Sequence, residues 1–140
     1  MTSFLATQVI IDMESGYHLF RGDWPIHREA HSLLISGLLG LATGALVWLL
    51  ARHRILPSYS VVRSEVACTA ALYGGLAGGL THPILDAVMH PDLRPFWPLS
   101  RANPFLDAIG LVALHLGCVV SGLMGAGILM FRYHYATTPG

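Results

Sequence analysis

Residues 32–51 read SLLISGLLGLATGALVWLLA, twenty residues without a single charge. A helix of about that length crosses the hydrocarbon core of a bilayer, where backbone polar groups find no partners but one another. The run is bounded by His31 and Arg52, as expected when a central arginine costs at least about 2.5–3.5 kcal/mol. Two further runs resemble it. Residues 66–80 are apolar and continue as a patterned helix to about His90, with Arg63 and Glu65 ahead of them. Residues 108–131 are interrupted only by His115 and closed by Arg132, much as Arg52 and Arg54 close the first run. The expected fold is an all-α membrane protein in one domain over 1–140. Spans are placed at about 31–52, 65–90 and 104–132, and an N-terminal amphipathic or re-entrant helix at about 3–20.

Composition agrees. The chain is 54% hydrophobic and 11% charged, far from the soluble norm, and its mean hydropathy is +0.57. Lysine is absent and the formal net charge is zero, so no nucleic-acid partner is expected. Cys68 and Cys118 lie inside apolar runs and read as small buried hydrophobes without a disulfide framework. No basic n-region with a small-residue cleavage site is recognisable at the N-terminus, so no signal peptide is assigned. Small residues recur four apart: Gly40 and Gly44, Gly74 and Gly78, Gly75 and Gly79, then Gly117, Ser121 and Gly125. Such rows let helix backbones approach closely, within one chain or between copies of a homo-oligomer.

In the N-terminal segment Phe4, Leu5, Val9, Ile10, Met13 and Tyr17 share one helical face, and Gln8, Asp12 and Ser15 another. Glu14, two residues from Asp12, points nearly opposite on a regular helix, so only one of the two acids is expected at a given site. Gly22, Asp23, Trp24 and Pro25 read as a turn. Residues 91–104 hold four prolines and cannot be helical throughout, and Asn103 with Pro104 reads as the start of the third span.

Eight histidines in so apolar a chain need an explanation. His27 and His31 are four apart and on a helix would share a face able to grip one metal ion. His82, Asp86 and His90 are spaced four and four near the end of an apolar helix. Pro83 either kinks that helix or starts a new one, and Pro91 stops it. The first pair lies where the first span begins and the second group where the second span ends, which for antiparallel spans is the same membrane face. Asp12, Glu14, Asp23, Glu29, Asp92 and Asp107 fall on that face too, an acidic and histidine-rich lip that a divalent cation would compensate. The rival is a helix-pairing network, with His82 and Asp86 bonded to each other or to Arg28 or Arg94. His115 reads as a core histidine hydrogen-bonded across helices, and His18, His53 and His134 carry no assigned role.

Ile11-Asp12-Met13-Glu14, then His27-Arg28-Glu29-Ala30-His31-Ser32, then Thr81-His82-Pro83-Ile84-Leu85-Asp86 resemble the bacterial membrane-bound metal-dependent hydrolases, a family that includes LexA-regulated inner-membrane members with phospholipase C-like motifs. Its marks are an N-terminal Asp-containing motif, a His-Arg-x-x-His-Ser/Thr motif opening a membrane helix, and a later Ser/Thr-His-x-x-Leu-Asp motif. Phe96-Trp97-Pro98 is similar to the family's proline-and-aromatic segment. The resemblance extends through Pro104. Glu29-Ala30 stand where a glycine and an aromatic are common, Pro83 follows His82, and the spans are fewer. These departures bear on substrate fit more than on metal binding. Position by position, the resemblance implies Asp12, His27, His31, His82 and Asp86 as metal ligands, and a location in the bacterial inner membrane. His90 and Glu14 follow as candidates for a second metal or for acid–base work.

The expected function is a membrane-embedded hydrolase of a phosphoester or ester, with an amphiphilic, lipid-like substrate. Its cofactor would be one or two divalent transition ions, zinc before manganese or iron. Glu14, Glu29 and Asp92 are the general-base candidates, and Arg28 and Arg94 the phosphate contacts. The alternatives are a non-catalytic metal sensor, carrier or structural site, and a bis-histidine haem protein using His82 and His115. Orientation is a tie: Arg52, Arg54, Arg63 and Arg132 lie on one side and Arg21, Arg28, Arg94 and Arg101 on the other. The acids favour placing the metal face outside the cytoplasm.

Overall fold

The computed structural model describes residues 1–53, 55 and 67–137, and among these residues it has four long helices and no strand. Arg54, Arg63, Glu65 and Val66, which mark the expected ends of the first two spans, lie outside the described residues. The chain divides into two compact units, Met1–Leu106 and Asp107–Gly140. Helices α1 (Thr2–Arg21), α2 (Leu33–Arg52) and α3 (Cys68–Met89) belong to the first unit, and α4 (Leu111–Thr137) to the second.

Among the described residues two helices are long and apolar enough to cross a membrane: α2, and α4 over Leu111–Tyr135. Helix α3 falls short of that measure because Gly74, Gly75, Gly78 and Gly79 add little hydropathy and His82 and Asp86 subtract from it.

Those glycines have another use. Helices α2 and α3 form the tightest helix pair of the unit. A Cβ on Gly40 would overlap the Gly75 carbonyl, and one on Gly75 the Gly40 carbonyl. Gly44 meets Ala71 in the same way, and Gly79 meets Ser36. The rows on α2 and α3 therefore serve contact within one chain. Gly74 and Gly78 face α1, against Ser3, Phe4 and Thr7.

Helix α1 packs with its polar and small residues inward. Ser3, Thr7 and Ile11 are buried, whereas Leu5, Val9, Met13 and Tyr17 are each more than half exposed. The helix ends at Gly22, whose φ of 69° lets its N–H reach the Leu19 carbonyl while that of Asp23 reaches His18.

Two expectations fail at the third run. The helix begins at Leu111, not near 104. Asp107 adopts a left-handed φ of 57°, which interrupts any helix through it. Asn103 Oδ1 accepts the Phe105 N–H at 3.2 Å, but no helix follows there, and its Nδ2 donates to the carbonyls of Ala87 and His90 at the end of α3. His115 bonds its own helix, Nδ1 to the Leu111 carbonyl at 2.7 Å, because an i−4 carbonyl lies within reach of its ring. The cysteines are free, but Cys118 is exposed and Cys68 only half-buried. An apolar run fixes the polarity of the surroundings, not burial among this chain's own atoms.

Candidate metal centre

The segment from Gly22 to His31 is not the helix that the spacing of His27 and His31 suggests. Carboxylates capture the N–H groups such a helix would need. Asp92 Oδ2 accepts from the backbone of Ile26 and His27, each at 3.0 Å, and Glu14 accepts from Arg28 and Ala30. Only Glu29–His31 forms a single 3-10 turn. Ser32 then caps α2 by accepting the Ile35 N–H. His27 and His31 touch edge to face, ring centroids 4.8 Å apart, but belong to different ligand groups.

The first group is Asp12 from α1, His31 from the 3-10 turn, and His82 and Asp86 from α3. One ligand atom from each lies within 4.8 Å of all the others. His82 Nε2 is 3.1 Å from Asp12 Oδ1 and 3.2 Å from Asp86 Oδ2. His31 Nε2 stands 4.0 and 3.8 Å from the same two carboxylates. His31 is fully buried, whereas the Asp12 side chain is 61% exposed. Helix α3 runs unbroken through Pro83, so His82 and Asp86 stand one turn apart on one face.

Groups behind each imidazole decide what it offers. Gln8 donates Nε2 to the Gly78 carbonyl, which turns its Oε1 onto His82 Nδ1 as an acceptor. Glu14 Oε2 stands 3.4 Å from His31 Nδ1. An ion at Nε2 would hold both rings as Nδ1–H tautomers, with Gln8 and Glu14 accepting at Nδ1, the arrangement typical of metal-bound histidine. Glu14 and Asp12 thus both serve the site, from opposite edges of the His31 ring. The longer arm of Glu14 reaches a nitrogen that its position on the helix seemed to deny it. Ser15 Oγ lies 3.3 Å from His31 Nε2. Sequence reasoning placed Gln8 and Ser15 on the Asp12 face but gave them no role. Their sharing of that face was the available signal.

A divalent ion fits this group. Ligands about 2.0–2.1 Å from a tetrahedral zinc stand roughly 3.3 Å apart, within the observed spread of 3.1 to 4.0 Å. His82 Nε2 is buried and, although near two carboxylates, makes no aligned hydrogen bond. Such an orphaned atom is rare without an unseen partner.

The second group is His27, His90 and Asp92. Burial, then the charge of His90 and His31, lowers the pKa of His27 against the upward pull of Asp92. Burial alone would raise Asp92, but the His27 backbone and ring outweigh it and lower its carboxyl. Burial likewise opposes, and hydrogen bonds from His31, Ala30 and Arg28 outweigh, in Glu14, which is also lowered.

Beside this group lies a cleft of about 340 Å³ lined by Pro25, His27, Arg28, Glu29, Arg94 and Trp97. Arg28 Nε is fixed on the Pro25 carbonyl. Glu29 is exposed and in neither ligand group. Glu14 also lies outside both, and with its oxygens committed to two backbone N–H groups and His31 it is an orienting residue.

The described residues define an all-helical protein with two helices suited to crossing a membrane and a histidine–aspartate group suited to a metal ion. No protein-family model, curated protein or solved structure matches the chain.

Proposed function

We propose that the chain is a membrane-embedded, metal-dependent hydrolase of a phosphoester or ester, related to the membrane-bound metal-dependent hydrolases that its motifs resemble. The observation that carries the reading is the paired presentation of His31 and His82 Nε2 to Asp12 and Asp86, each ring backed at Nδ1 by Glu14 or Gln8. Two imidazoles with two carboxylates suit zinc, with manganese or iron next. A bound ion of this kind supplies Lewis acidity and lowers the pKa of its water to about 7.

The chain's own residues do the rest. Asp12, His31, His82 and Asp86 hold the ion, and exposed Asp12 lies on the side open to the exterior. Arg28 and Arg94, together in the cleft, bind an anionic headgroup. Glu29 lines the same cleft without a place in either ligand group, and moves the proton. The apolar outer face of α1 favours α3 as a third span, with α1 seated among the spans at lipid depth. The bacterial inner membrane, with the metal face outside the cytoplasm, completes the reading, and an amphiphilic substrate follows from a site at that boundary.

The experiment compares metal-loaded protein with the His31→Ala/Asp86→Ala double variant on a panel of lipid phosphoesters and esters. Turnover by the first and not the second is expected; a metal-replete protein inert across the panel sinks the reading. Four protein ligands in one group favour a second reading, a closed site for metal sensing, carriage or structure. The haem alternative has little left, because His82 Nε2 faces two carboxylates.

A further inference from the structure

We infer that His27, His90 and Asp92 form a second divalent-cation site beside the first, so that the chain binds two ions. This rests on the metal-centre reading above.

Four imidazoles stand in a row. Ring centroids are 5.4 Å apart from His82 to His31, 4.8 Å from His31 to His27, and 4.1 Å from His27 to His90. The first two rings have the Asp12 and Asp86 carboxylates in front of them. The last two have Asp92, whose side chain is only 4% exposed. Ligand atoms of His27, His90 and Asp92 lie within 4.8 Å of one another.

Hydrogen bonding leaves this second group incompletely explained. Asp92 Oδ2 takes the N–H groups of Ile26 and His27, which fixes the carboxylate. Its Oδ1 has the His27 ring alone, and His27 Nδ1 stands 3.2 Å from both oxygens instead of aligning on one. That separation suits two ligands of one ion about as well as a hydrogen bond. His90 closes the group from the end of α3, where Asn103 holds its carbonyl. Two imidazoles and one carboxylate leave coordination positions open, as sites that exchange ligands do.

An ion can reach the group. His27 lines the cleft that holds Arg28 and Arg94, and Asp92 lines a neighbouring cleft of about 440 Å³ with Trp24, Pro91 and Arg101. The two clefts share Pro25 and Arg94, and the His27 ring touches His31 of the first group. A cation held by His27, His90 and Asp92 would add positive charge beside the arginines of the cleft and so supply further attraction for an anionic ligand.

The test is equilibrium dialysis of the full-length protein in detergent against buffered free zinc, with zinc per chain read by mass spectrometry. Two ions per chain are expected in the parent, one in His90→Ala and one in His31→Ala/Asp86→Ala. His90→Gln, which keeps the bulk of the side chain, guards against a folding defect and should also hold one. A single ion in the parent, unchanged in both His90 variants and lost with His31 and Asp86, overturns the second site and leaves the proposed function standing. No ion in the folded parent overturns both.

Discussion

The Gln8 side-chain oxygen rests on Nδ1 of His82, seventy-four residues away, and joins the first helix to the end of the third that carries His82 and Asp86. The other end of the same amide is fixed on the Gly78 carbonyl, so the contact has one sense: Gln8 accepts and His82 donates. Gln8→Ala frees the ring to rotate and to change tautomer. Its zinc affinity is expected to fall about 10–100-fold, as for other outer-shell partners, with helicity unchanged. Competition with a chromogenic chelator measures it, and parental affinity in the variant would show that the amide has no orienting role.

The contact of Gly40 with Gly75 leaves no room for a methyl group. Gly75→Ala must push α2 from α3 and is expected to cost about 1–3 kcal/mol, the usual range for overpacking. Gly16 is the control, since a Cβ there meets nothing within 4 Å; Gly16→Ala should be neutral or gain up to roughly 1 kcal/mol from helix propensity. Denaturant melts in one detergent compare the two, and equal effects would refute the packing assignment.

Glu14 yields a pH dependence. Burial pushes its carboxyl up from the ordinary value of 4.5, but His31 and the N–H groups of Ala30 and Arg28 outweigh that and hold it below. A carboxyl lowered by folding stabilises the protein fully above its unfolded value and ceases to do so as pH falls through the folded one. In metal-free protein, Glu14→Gln should therefore lower stability most near neutral pH. The difference from the parent should shrink from about pH 4.5 downward. Unfolding curves at several pH values in the presence of chelator check this; a difference that grows on acidification has the wrong sign.

Asn103 donates to the Ala87 carbonyl at 2.8 Å and the His90 carbonyl at 3.1 Å, closing the end of α3. Asn103→Ala leaves both carbonyls short of a donor and should cost about 1–3 kcal/mol. A thermal melt of the apo protein reads the loss, and an unchanged midpoint would mean that water replaces the amide without cost.

Much of the first ligand group was legible before any coordinates. Antiparallel runs put the start of α2 and the end of α3 at one level, and the spacing of His82 and Asp86 needs only a regular helix. What misled was local spacing read as local structure. His27 and His31 are four apart, yet Asp92, sixty-five residues beyond His27, and Glu14, fourteen before Arg28, take the N–H groups a helix would use. That competition is tertiary and leaves no periodic trace. The sorting of His27 with His90 and Asp92 was hidden for the same reason. Helix α1 was read correctly as two-faced, but which face turns inward depends on what its neighbours present. Here they present glycines, so Ser3, Thr7 and Ile11 turn inward while Leu5, Val9, Met13 and Tyr17 stay exposed. Asn103 Oδ1 does accept the Phe105 N–H as a cap would, but the left-handed Asp107 stops a helix from following, and the Asn103 Nδ2 serves the end of α3 instead.

The ligands of the first group come from the first helix, the turn into the second and the last two turns of the third. During synthesis, a chain emerging from the ribosome carries no complete set until Asp86 is out, and Asp12 must wait for all the intervening sequence. On the proposed reading, metal uptake is a late step of biogenesis, and it discriminates: only a chain whose first three helices have already found one another offers four ligands to a single ion.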